Sequence, residues 1–201
     1  MYALYVTHPQ VVMDPNVPVP MWSLSPEGEE RARRFARHPL VKGVRTIVSS
    51  TERKAIELAQ AMAVGARAPF TAEHEFGEND RSATGYVPAE RFEQLADAFF
   101  ANPDESVEGW EPAREAQARI AGAFEATIAL HDPTRPIAFA GHGAVGTLLK
   151  CYLAGREIAR SEDQRVIGNP KGGNVLVIRL SDLHLFGDWT AMEDLPEALP
   201  F

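Results

Sequence analysis

Two histidines and an arginine, His8, His142 and Arg53, are the residues of this chain best placed by type and spacing to do chemistry. His142 lies in Ile137-Ala-Phe-Ala-Gly141-His142-Gly143-Ala144-Val145, which reads as a buried strand, a tight Gly-His-Gly turn and the start of a helix. Glycines on both sides let the backbone approach a ligand closely. The free N–H groups and the positive dipole end of the following helix suit an anion. His8 follows an apolar strand, where a lone histidine is most often structural. Set beside His142 it acquires a chemical meaning: one imidazole can attack phosphorus while the other donates hydrogen bonds to the oxygens in transfer. Arg53 falls in the first turn of a helix, after Ser49-Ser50-Thr51-Glu52. The dipole disfavours a cation there unless an anion faces it, and a guanidinium fork matches phosphate oxygens. Its plainer reading is a surface pair with Glu57 at i+4.

The elements that must position these groups can be read from periodicity and punctuation. Tyr2–Val6 is apolar and strand-like rather than a leader peptide, since it has no basic start and no small-residue cleavage site. Pro9, Pro15, Pro18 and Pro20 make His8 to Trp22 a long loop. Ser25-Pro26-Glu27 starts a helix. Val44–Val48 is a second strand; Ala55, Leu58, Ala59 and Met62 repeat at helical spacing after it, with Gly65 as the closing residue. Glu73 to Gly85 is a polar loop. Helices are predicted over Pro88–Ala101, Pro112–Leu130 and Ala144–Leu153, the last ended by Gly155. Ile137–Ala140 and Val175–Leu180 are further strands, the latter pairing with Leu183–Phe186. Strands alternating with helices predict a mostly parallel sheet with helices on both faces. In such sheets ligands bind beyond the carboxyl ends of the strands, where His8, Arg53 and His142 all fall.

The totals narrow the function further. With 201 residues, 45% hydrophobic and 24% charged, the chain fits one globular domain, 1–201. No apolar run is long enough to cross a bilayer, so no membrane partner is expected. The net charge of −8 argues against nucleic acid. Arg31, Arg33, Arg34 and Arg37 are the nearest basic cluster, and Glu27, Glu29 and Glu30 make them one mixed-charge helix face. The single cysteine, Cys151, allows no internal disulfide and suits the cytoplasm; on an apolar helix it reads as core. His38, His74, His131 and His184 lack metal-ligand spacing, and Gly168-Asn-Pro-Lys171-Gly172-Gly173 is neither a P-loop nor a dinucleotide fingerprint. No metal and no cofactor are expected.

Four stretches in order resemble the histidine phosphatase (phosphoglycerate-mutase-like) superfamily. That family opens with a strand ending in Arg-His-Gly, continues with a Ser-Ser-x-x-x-Arg-Ala segment and a loop glutamate, and closes on a Ser-His-Gly turn. The matching stretches are Leu4-Tyr-Val-Thr7-His8-Pro9, Leu24-Ser25-Pro-Glu-Gly28, Ser49-Ser50-Thr51-Glu52-Arg53-Lys54-Ala55 and Phe139-Ala-Gly141-His142-Gly143. The resemblance implies a three-layer α/β/α sandwich and a metal-independent phosphomonoesterase. His8 would be the nucleophile that becomes phosphorylated, and Arg53 and His142 would hold the transferred group with Gly143 and Thr7. An acid from the Glu73–Asp80 loop would protonate the leaving oxygen: Glu78 first, with Glu73, four residues before Gly77, and Glu75 as alternatives. The expected ligand is a phosphorylated small molecule or phosphopeptide, and the chain is open to homodimer formation. A phosphoryl mutase and a weakened phospho-ligand-binding module are the alternative activities.

The departures from the pattern are specific. Thr7 stands where the family has arginine and Pro9 where it has glycine; Asp14 and Asn16 flank the place of an asparagine that often follows. A threonine donates one hydrogen bond, an arginine several together with a charge. Arg81, three residues after Glu78, is the expected compensating cation, with Lys171 in reserve. Trp22, Tyr86 and Trp110 are candidates to line a specificity pocket.

Overall fold

The computed structural model describes all residues, 1–201. Six strands form one sheet: β1 (Tyr2–Thr7), β2 (Thr46–Ser50), β3 (Phe70–Glu73), β4 (Ile137–Gly141), β5 (Asn174–Arg179) and β6 (His184–Ala191), in the order β3-β2-β4-β1-β5-β6. Strands β3, β2, β4 and β1 run parallel; β5 is antiparallel to β1, and β6 to β5. Seven α-helices accompany them: α1 (Pro26–Phe35), α2 (Pro39–Gly43), α3 (Arg53–Ala66), α4 (Ala89–Ala101), α5 (Ala113–Leu130), α6 (Gly143–Ala154) and α7 (Gln164–Ile167).

The alternation of side chains across each strand divides the core in two. Ala3, Tyr5, Val48, Ile137 and Phe139 face one way and pack with α4, α5 and α6. Leu4, Val6, Ile47, Ala138 and Ala140 face the other and pack with α1, α2 and α3. Central strands covered on both faces must be apolar throughout, and β1 and β4 are buried along nearly their whole length. The result is the three-layer, mostly parallel α/β architecture expected from the sequence.

Several local expectations are corrected. Gly65 does not close α3; Arg67 does, at φ 53 in the left-handed region. Gly65 lies within the helix because a Cβ there would meet the Ala36 carbonyl oxygen at 1.9 Å, so its service is close packing against the end of α1. The short helix α2 and the edge strand β3 carry too few residues to show a period, and both went unpredicted. The strand predicted from Val44 begins at Thr46 and continues through Ser50. The polar loop after β3 opens with a 3-10 turn, His74–Phe76, and its Phe76 is buried against Phe139.

The register sets the place of the site. Thr7 at the end of β1 pairs with Gly141 at the end of β4, and Ser49 of β2 pairs with Ala140. The segments that begin at His8, Thr51 and His142 therefore leave the same edge of the sheet. Because β5 is antiparallel, its first residue, Asn174, meets that edge as well.

Candidate active site

His8 and His142 face each other with ring centroids 5.3 Å apart and planes at 69°. His8 Nδ1 lies 2.9 Å from the Pro9 carbonyl oxygen. A carbonyl only accepts, so Nδ1 carries the proton and Nε2 keeps a lone pair. Burial and the nearby Lys54 ammonium push the His8 pKa down to about 4, so the ring is neutral at pH 7.

His142 is fully buried, and neither ring nitrogen has a hydrogen-bond partner. Its pKa is held well below the ordinary value by burial, against the opposing pull of Glu52. Tyr5 fixes its backbone: the Tyr5 hydroxyl accepts from His142 N–H and donates to His142 C=O, both at 3.2 Å. A Cβ at Gly141 would lie 2.3 Å from that hydroxyl and one at Gly146 2.4 Å from the Tyr5 ring, so both glycines make room for the clamp. At Gly143 a Cβ would lie 2.1 Å from Gln164 Nε2. The expectation that the glycines beside His142 leave room for a ligand is thus corrected: a tyrosine and a glutamine fill the space.

Arg53 is not turned into the site. Its side chain is 55% exposed and pairs with Glu57 at 2.9 Å. One residue further along α3, about 100° round the helix, Lys54 is 3% exposed. Lys54 Nζ donates to the Val19 carbonyl oxygen at 3.1 Å and pairs with Glu52, whose Oε1 lies 3.5 Å from His142 Nε2. The Lys54 charge acts on both imidazoles. The spacing of Ser49-Ser50-x-x-x-Lys54-Ala55 already pointed to this position; the presence of an arginine one residue earlier drew attention away from it. Burial pushes the Glu52 carboxyl up, but His142, the Lys54 ammonium and the Glu78 N–H, at 2.9 Å, together outweigh it and hold the group well below the usual carboxylate range.

Of the three loop glutamates, only Glu78 reaches the site. Its carboxylate accepts from the Ala144 and Val145 N–H groups at 3.3 and 3.0 Å, capping α6 just after His142. Arg119 of α5 holds the loop through the Glu75, Gly77 and Glu78 carbonyls and pairs with Glu111. Glu73 and Glu75 are exposed and line a cleft with Ala123, Thr127, His131 and Arg135, away from the two histidines.

Arg81 has no ion pair. Its guanidinium lies over the rings of Phe92 and Trp110, 5.2 and 5.5 Å from their centroids, and its charge reaches both histidines. Lys171, the reserve cation, is exposed and lies 3.6 Å from Glu27, so it is no part of the site. Thr7 is fully buried and bonded to Gln164 and Asn174. The proline-rich loop is tied down by the Val11–Leu24 bridge and the Lys54 bond to Val19. Trp22 from this loop meets Tyr86 edge-on at 6.0 Å, while Trp110 is core.

A pocket built from two facing neutral imidazoles and a buried lysine at one sheet edge can be set against known proteins. The sequence profile of the histidine phosphatase superfamily (branch 1) matches residues 17–180, beginning after His8. No curated protein matches the chain in sequence. Among solved structures, YhfR of Bacillus stearothermophilus superposes with a TM-score of 0.76 at 16% identity, covering 98% of each chain. A mycobacterial glucosyl-3-phosphoglycerate phosphatase solved with inorganic phosphate gives 0.72 at 17% identity, covering 96% of this chain and 98% of that one. A protein described as mycobacterial hydrolase 1 gives 0.75 at 15%, covering 92% and 97%. At these identities the structures speak for the fold, and the profile speaks for the family: the chain belongs to the histidine phosphatase superfamily, branch 1.

Proposed function

We propose that the chain is a metal-independent phosphomonoesterase that works through a phosphohistidine on His8. The carrying observation is the His8 ring itself: Nδ1 bound to the Pro9 carbonyl, Nε2 left with a lone pair, and burial keeping the ring neutral 5.3 Å from His142. An imidazole in that state is a nucleophile at neutral pH. His8 Nε2 attacks phosphorus, the P–O bond to the leaving group breaks, and water then cleaves the P–N bond to release inorganic phosphate. The protonated ring nitrogen of His142, unpartnered in the free protein, would donate to a phosphoryl oxygen, removing a desolvation penalty the free protein carries. Lys54 supplies charge in place of the family arginine. Glu78 is the acid for the leaving oxygen, being the loop glutamate that touches the turn after His142.

The substrate class proposed is a phosphorylated small molecule, the kind of compound named for the mycobacterial phosphatase of similar fold, with Trp22 and Tyr86 at the rim. One observation favours a second reading, a phospho-ligand-binding module with slow turnover: Glu52 already neutralises the pocket's lysine. A screen of phosphorylated metabolites and phosphopeptides, run on wild type and His8→Ala in parallel with and without EDTA, decides between them. The first reading predicts EDTA-insensitive phosphate release that His8→Ala abolishes. Tight binding with no release selects the second, and release that survives His8→Ala overturns the phosphohistidine.

A further inference from the structure

A phosphoryl group in transfer carries negative charge on three oxygens and needs fixed donors around them. The residue that supplies the first of these donors in the family pattern is Thr7 here, and its hydroxyl is turned into the protein, not toward the histidines. What the hydroxyl does there is informative. It accepts from Asn174 N–H at 2.9 Å and donates to Gln164 Oε1 at 2.7 Å.

The orientation of the Gln164 amide follows from a chain of obligations that begins at the backbone. Asn169 N–H donates to Asn174 Oδ1 at 2.7 Å, and Asn174 Nδ2 donates to the Asn169 carbonyl at 2.8 Å. These two bonds leave only one way round for the Asn174 amide. Its second Nδ2 proton then requires an acceptor, and Gln164 Oε1 is there at 2.7 Å. Two donors converge on Oε1, so Nε2 must be the other end of the amide. That nitrogen lies against Gly143, the residue after His142, in space that any side chain at 143 would occupy. Gln164 is 8% exposed, and its Nε2 stands outside the bonds that Thr7 and Asn174 make to Oε1. A nearly buried amide, aimed by Thr7, Asn174 and Asn169, thus presents its donors at the residue that follows His142, whose own ring nitrogens have no partner.

We propose that Gln164 is a phosphoryl-binding residue, its Nε2 donating to a phosphoryl oxygen held between His8 and His142, with Thr7 and Asn174 as the positioning residues that aim it. This deepens, and rests on, the phosphoryl-transfer reading of the site. A neutral amide from α7 thereby takes the place left by the missing arginine of β1. It supplies direction without charge, which fits a pocket where Glu52 and Lys54 already cancel.

The test is an NMR titration of wild-type protein with inorganic phosphate, following the Gln164 side-chain NH2 resonances, assigned through Gln164→Glu, together with the His8 and His142 ring nitrogens. The proposal predicts that all three respond with one dissociation constant, and that Gln164→Met weakens phosphate about tenfold. Thr7→Val, which keeps the amide but frees its oxygen, should raise KM with a smaller effect on kcat. Histidine shifts with a silent Gln164 amide overturn the role of Gln164 and leave the phosphatase reading standing. Silence of both histidines at saturating phosphate overturns the phosphate pocket, and Gln164 with it.

Discussion

Changing Glu52 to glutamine should make the site bind phosphate more tightly. An oxygen hydrogen-bonded to His142 Nε2 would sit close to the Glu52 carboxylate, which is itself 3.5 Å from that nitrogen. Taking the two charges as about 5 Å apart at an effective dielectric of about 20, their repulsion is about 3 kcal/mol. Lys54 offsets it now because Glu52 and Lys54 cancel; in Glu52→Gln the ammonium stands alone and faces the anion. Allowing roughly half of the 3 kcal/mol for relaxation of Lys54 toward the Val19 carbonyl, the gain is about 1.5 kcal/mol or more, at least about tenfold in affinity. The amide oxygen still accepts from Glu78 N–H, so the loop bond at 2.9 Å survives. The free variant should melt lower than wild type, because a buried ammonium has lost its partner, and should regain more than wild type on adding phosphate. Calorimetric titration with inorganic phosphate and a melting curve at each phosphate concentration read both effects. An unchanged or weaker phosphate affinity would refute the reasoning and show that Glu52 holds Lys54 in its working position instead of screening it.

Other consequences follow from neighbouring contacts. Arg53→Ala should leave phosphate binding unchanged and stability within about 1 kcal/mol, as expected for an exposed pair, whereas Lys54→Met should abolish phosphate binding; equal effects in a binding assay would restore Arg53 to the site. Tyr5→Phe removes both hydrogen bonds to the His142 backbone and should destabilise the fold by about 1–3 kcal/mol while lowering kcat more than it raises KM, measurable by denaturant melts and steady-state kinetics. The histidines also set a pH dependence. His8 titrates near 4 in the folded protein against 6.5 when exposed, so between those values the unfolded chain binds more protons. Stability is then full above pH 6.5 and is lost as pH falls toward 4, His142 adding to the same limb. His8→Ala should flatten part of that decline in a series of melts, and an unaltered pH profile would mean that His8 is not held neutral.

Much of this arrangement was legible from residue order. Apolar runs that are covered on both faces, such as Leu4–Val6 and Ile137–Ala140, identify central parallel strands, and loops after such strands are where chemistry collects. His8 and His142 are found by that argument alone. Arg53 was misplaced because it matched the family's arginine by residue type, while the spacing from Ser49-Ser50 puts Lys54 in that place, and a helix turns about 100° per residue, so adjacent cations face different ways. Glu52 and Gln164 were unreadable for a different reason: each matters through partners far along the chain, Glu52 through Glu78 and Gln164 through Thr7. Gly143 carried a true signal, a backbone that needs space, while the occupant of the space proved to be protein. The short elements α2, β3 and α7 have too few residues for a period to show.

The most direct test of the central claim is to trap the phosphoenzyme. Wild-type protein mixed with a labelled phosphate ester, quenched in base to preserve an acid-labile P–N bond and digested for mass spectrometry, should carry one phosphoryl group on His8 and none in His8→Ala. Label on another residue, or turnover without any label in a quench fast enough to see one cycle, would contradict the account.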